Sequence, residues 1–195
     1  MKKITYLMTF FILTANIFAQ DVVLQGDITV NTTLTADKTY LLKDIVRVQA
    51  PAVLTIEAGT TIYGENSTKG TLIVKPGAKL IAEGTPLKPI VFTSEFTKSG
   101  SSQTPTYGDW GGIILLGNAP INVPGGTSTI EGPGDVYGGN NSDDNSGILR
   151  YVRIEFPGIA YSLNNEINGL TFGGVGSGTT IEYVQVSYSG DDSFE

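Results

Sequence analysis

Between residues 53 and 92 apolar side chains return at every second position, in short runs that a glycine or a Pro-Gly pair cuts off. "VLTIEAGTTIYGEN" at 53–66 and "TLIVKPGAKLIAEG" at 71–84 superimpose with an offset of 18, so that Leu54 falls on Leu72, Ile56 on Val74, Gly59 on Gly77 and Ile62 on Leu80. A second pair, "LRYVRIEFPG" at 149–158 and "IEYVQVSYSG" at 181–190, is offset by 32 and sets Val152 on Val184, Ile154 on Val186 and Phe156 on Tyr188. A period of two belongs to a strand with one buried face, and the recurring glycines argue against helix.

Strands this short, each closed at once by a turn, cannot all find hairpin partners. A chain that coils on itself instead stacks each strand on its counterpart one turn later, so repeats of this length predict an all-β, right-handed, single-stranded parallel β-helix. Leu54, Ile56, Ile62, Leu72, Val74, Leu80, Ile90 and Phe92 are expected to point inward in ladders spaced about 4.8 Å apart. Thr55, Thr71, Lys75 and Thr93 are expected to face water. The run Ile113 to Leu116 does not reveal which parity is buried, and Trp110 reads as a packing residue at a corner. Residues 20–50 are expected to supply the N-terminal cap, which shields the first sheet edge, and a first irregular coil. Residues 51–195 supply the coils. The last repeat stops in mid-coil, so the solenoid is expected to be a fragment, incomplete at the C-terminus.

Composition adds a compartment and removes several chemistries. Lys2 and Lys3 precede an uncharged apolar run from Ile4 to Phe18 that ends at Ala19, the layout of a secretory signal peptide over residues 1–19. Cleavage near Ala19 predicts a secreted or outer-surface protein with no transmembrane segment in the mature chain. That chain keeps 10 basic against 19 acidic residues, a net charge of −9, which argues against nucleic acid as a partner. Cysteine and histidine are both absent. Disulfides, thiol nucleophiles, the usual zinc sites and histidine-based acid–base chemistry are therefore unavailable.

Carboxylates, arginines and tyrosines remain. The loop "GGNNSDDNSG" at 138–147 gathers oxygen donors on Asn141, Asp143 and Asp144, the hard ligands that calcium prefers, although the spacing fits no EF-hand and the same residue types favour any turn. If Val152 and Ile154 point inward, Arg153 and Glu155 project outward beside Gln185 and Ser187 of the next repeat, with Tyr161 or Tyr188 nearby. Such a polar, aromatic-dotted strip can hold a glycan, whereas an exposed Arg–Glu pair by itself is a weak surface contact.

The segments "LTIEAGTTIYG", "LIVKPGAKLIAEGT", "GDWGGIILLGNAPIN", "LRYVRIEFPG" and "LTFGGVGSGTTIEYVQVSYSGDD" resemble the N-terminal part of secreted, pectin-lyase-like right-handed β-helix proteins of Bacteroidetes-type bacteria. The resemblance implies an extracellular or surface-attached protein; its expected role is structural or interactive, with polysaccharide or extracellular matrix as the partner. It leaves the oligomeric state open. The alternative it carries is a polysaccharide lyase or glycoside hydrolase whose remaining catalytic residues lie further along. Gly190-Asp191-Asp192 is similar to the Gly-Asp-Asp element of polygalacturonase-type hydrolases, which makes Asp191 and Asp192 the catalytic candidates. Inverting hydrolysis needs two carboxyls about 6.5–9.5 Å apart, a separation that neighbouring residues reach only at a turn. The accompanying Asn-Thr-Asp element is missing.

Overall fold

The computed structural model describes residues 22–195, and the predicted signal peptide lies outside the described residues. The chain runs through β1 (Val22–Ile28), β2 (Thr32–Leu34), β3 (Thr39–Val48), β4 (Val53–Ile56), β5 (Thr61–Gly64), β6 (Thr71–Val74), β7 (Lys79–Glu83), β8 (Ile90–Ser94) and β9 (Ile113–Leu116). Two short strands, β10 (Ser128–Thr129) and β11 (Val136–Tyr137), sit in a long insertion before β12 (Gly147–Glu155). Another such pair, β13 (Ala160–Ser162) and β14 (Asn165–Glu166), precedes β15 (Leu170–Gly173) and β16 (Thr180–Ser187). Twelve of these strands form one continuous sheet in which every pairing between named strands is parallel, as a β-helix requires.

The sheet wraps into three faces. Face A stacks the first part of β3 on β5, β5 on β8, β8 on the second part of β12, and that on the second part of β16. Face B runs from the second part of β3 through β6 and β9 to β15. Face C runs β2, β4, β7 and the first parts of β12 and β16. Four strands serve two faces each, because one residue in the left-handed region bends them: Gly26 (φ 75°), Asp44 (φ 55°), Tyr151 (φ 49°) and Tyr183 (φ 53°). Only glycine takes that conformation freely, so a tyrosine held there costs roughly 1–3 kcal/mol that the flanking ladders offset.

All eight residues expected inward are buried in one core, together with Val152, Ile154 and Leu170. Fully burying such a side chain contributes about 1.5–3 kcal/mol. The 32-residue repeat is a true coil, for Val152 pairs with Val184 and Ile154 with Val186. The 18-residue repeat is not. Leu54 stacks on Leu80 of face C, while Leu72 lies on face B beside Val46 and Ile113. The two segments share a strand–turn–strand grammar displaced by one face, so similarity of sequence here does not mean superposition in space.

Face B is buried on both sides. All four residues of β6 and all four of β9 are inaccessible. Ile73, Ile114 and Leu116, which point outward, are covered by Ile130 and Ile167 from the insertions at 117–146 and 156–169. The parity of Ile113 to Leu116 was therefore unreadable because both parities are buried. Thr71 is fully buried too, against expectation, because the chain at Gly111 passes so close that a Cβ there would meet the Thr71 hydroxyl at 2.0 Å. Thr93 is likewise only 4% exposed, since the turn after β8 folds back until the Lys98 ammonium lies 4.6 Å from the ring of Tyr63, the register partner of Thr93.

One carboxylate ties the larger insertion down. Asp135 accepts from Arg47 Nη2 at 3.0 Å and from Lys75 Nζ at 2.6 Å, two cations on successive coils. This also removes Lys75 from the fully solvated position expected of it. Burial alone would raise the Asp135 carboxyl, but hydrogen bonds from Arg47 and then Lys75 outweigh it and hold the group below the usual carboxylate range.

Candidate functional site

Faces A and C meet at a corner where β12 and β16 each turn on one tyrosine. Because Tyr151 and Tyr183 occupy equivalent left-handed positions in consecutive coils, their rings fall face to face, with centroids 4.5 Å apart and planes within 3°. Tyr183 is 68% exposed, so the outer ring offers a flat aromatic surface to solvent. The corner is braced from face C by Arg150, which reaches Glu83 at 2.9 Å and Glu182 at 2.8 Å on the coils either side. These are exposed ion pairs; their use is to fix the level of the corner, and they add little to global stability.

Immediately along face A, an outward column runs Thr61, Val91, Arg153, Gln185 in register. Arg153 and Gln185 share a cleft of about 310 Å³ with Tyr151, Tyr183, Pro86 and Pro89. Arg153 Nη2 is held by Glu155 Oε1 at 2.5 Å. One fork position is thus used, and the remaining guanidinium donors and the Gln185 amide face the cleft chemistry with donors and an acceptor. A flat aromatic surface beside hydrogen-bonding groups suits a ring that is apolar on its face and hydroxylated at its edge.

The sequence-selected residues separate into three places. Arg153 and Gln185 meet in the cleft, with Glu155 as the partner that orients Arg153. Tyr188 belongs to the opposite corner, about 16 Å away along the strand. There its ring stacks on Phe156 at 4.9 Å and meets Tyr107 edge-on at 6.0 Å. Asp191 and Asp192 are exposed on the turn between faces A and B. The Asp192 amide donates to Asn168 Oδ1 at 3.0 Å, and its carbonyl accepts from Gly169 N at 2.9 Å.

The acidic loop lies elsewhere again, on the insertion between faces B and C. Asp144 is buried, its Oδ1 accepting from Asn118 N at 3.0 Å and its Oδ2 from Ser146 Oγ at 3.1 Å. Asp143 accepts from Ser177 Oγ at 3.0 Å, and Asn141 Oδ1 from the Asp143 amide at 3.2 Å. Among the described residues no group of three or more His, Cys, Asp or Glu side chains converges as a metal site.

Tyr151 and Tyr183 were missed as site residues although their signal is present. They fall on each other in the 32-residue repeat, one place before Val152 and Val184. A tyrosine between two alternating runs reads as one more strand residue unless the bend is known.

The family model for a pectate-lyase-like β-helix domain matches residues 26–195, and the chain belongs to that family. No curated protein and no solved structure matches it. No helix among the described residues is long and apolar enough to cross a membrane.

Proposed function

We propose that this is a secreted or cell-surface β-helix protein of Bacteroidetes-type bacteria that holds polysaccharide at the corner between faces C and A, as an interaction module without a catalytic step. The observation that carries this reading is the Tyr151–Tyr183 stack, exposed to solvent in the same cleft as Arg153 and Gln185. Stacking on Tyr183 supplies contact area at small entropic cost, and Arg153 and Gln185 supply direction through hydrogen bonds to hydroxyl or carboxylate groups. Membership of a pectate-lyase-like family is consistent with a polysaccharide partner. The apolar, charged-flank pattern of residues 1–19 supports export.

Binding to immobilised pectic polysaccharide, xylan and glycosaminoglycan tests the reading. The intact protein is expected to bind at least one of them, and Tyr183→Ala and Arg153→Ala are each expected to weaken that binding about tenfold, a loss of ~1.4 kcal/mol. Undiminished binding by both variants overturns the assignment of the cleft. New reducing ends or unsaturated products in the same incubations establish the lyase or hydrolase alternative instead.

A further inference from the structure

The cleft at the tyrosine pair has a neighbour. Across the turn Thr85 to Lys88 lies a second cleft of about 420 Å³ that involves Ala36, Ala58, Gly59, Leu87, Lys88 and Val91. The two share Pro89, and Val91 of the second is the register neighbour of Arg153 in the first. They are two parts of one groove along the corner, parallel to the solenoid axis. From Ala36 through Gly59, the turn and Tyr151 to Tyr183 there are four coil spacings of about 4.8 Å, some 19 Å in all, the length of several sugar rings.

The divider between the clefts is stiff. Thr85 N donates to Lys88 O at 3.0 Å, Lys88 N returns to Thr85 O at 3.1 Å, and the Thr85 hydroxyl accepts from the same amide at 3.0 Å. This turn holds Leu87 93% exposed, and the stem of Lys88 lies against Gly59, whose φ of 92° favours glycine. The Lys88 ammonium has no ion pair or hydrogen bond among the described residues.

We propose that the groove is a two-subsite cradle for a linear polysaccharide running along the axis, with Leu87 packing on a sugar face and the Lys88 ammonium donating to its oxygens in the second subsite. The proposal rests on the tyrosine cleft being the first subsite. Its content is that the second subsite reads chain length.

Pectic and xylan oligomers of two, four, six and eight residues, titrated against the intact protein and against Leu87→Ser and Lys88→Ala, test it. Affinity is expected to rise about tenfold or more from the dimer to the hexamer. Both variants are expected to erase that rise while leaving dimer binding and melting temperature unchanged. Tyr188→Ala, which alters the far corner, is expected to leave the whole series unchanged. A length dependence that survives both variants, or one that Tyr188→Ala removes, overturns the second subsite while the first stands. If the variants weaken dimer and hexamer equally, the division into subsites fails. If neither series binds at any length, the second subsite falls, and the tyrosine cleft falls with it when glycosaminoglycan is not bound either.

Discussion

Trp110 occupies the volume that Gly64 leaves empty. A Cβ built on Gly64 would stand 2.5 Å from the indole, which is fully buried, stacked on Phe92 and tied through its Nε1 to the Glu155 carbonyl at 2.8 Å. Gly64→Ala is therefore expected to destabilise the fold by about 1–3 kcal/mol through overpacking, and Trp110→Ala by about 3–5 kcal/mol through the cavity. The pair touches, so the double variant is expected to cost clearly less than the sum. Urea denaturation of the four proteins measures the coupling, and strict additivity would remove Gly64 from the account of Trp110.

Asp135 predicts an acid-dependent loss of stability. Its carboxyl is held low in the folded state by Arg47 and Lys75, so its contribution is complete above the unfolded carboxyl value of about 3.9 and disappears as pH falls through the lower folded value. Asp135→Asn is expected to cost about 2 kcal/mol at neutral pH and to flatten the decline in melting temperature on acidification below about pH 4. A decline as steep as the parent's would show that other carboxylates carry it.

Thr93 offers the opposite sign. Among the described residues its buried hydroxyl has no hydrogen-bond partner, and valine replaces it with a methyl of nearly the same size. Thr93→Val is expected to raise stability by about 1 kcal/mol, seen as a higher urea midpoint at constant slope. A lower midpoint would mean that the hydroxyl has a partner after all.

Asp144 is expected to act as a knot for the insertion rather than as a cation ligand. Asp144→Ala releases the Asn118 amide and the Ser146 hydroxyl, at an expected cost of about 2 kcal/mol. Chelator added to the parent protein is expected to leave its melting temperature unchanged. A fall of several degrees would assign calcium to Asn141, Asp143 and Asp144.

The coils were legible because alternation and corner glycines are local properties. Leu54, Ile62 and Phe92 could be oriented from their own neighbours alone. What covers the outside of a face depends instead on insertions distant in sequence. Nothing near Thr71 announces Gly111, and nothing near Ile114 announces Ile130 and Ile167, so those outer positions read as solvent-facing or ambiguous. The site divided in the same way. Arg153 and Gln185 followed from strand parity, but Tyr188 was grouped with them because sequence proximity hides a corner, and Tyr151 and Tyr183 went unnoticed because a single left-handed residue leaves no mark in the hydrophobic pattern.

The one-residue corner has a consequence for how such a surface can change. A bend made by a lone residue needs no loop, so each coil that turns this way, as at Tyr151 and Tyr183, shows one side chain at the same azimuth, like teeth on a comb of fixed pitch. Exchanging a tooth alters what the comb grips while the ladders beneath keep their register, and selection can thus rewrite recognition one coil at a time.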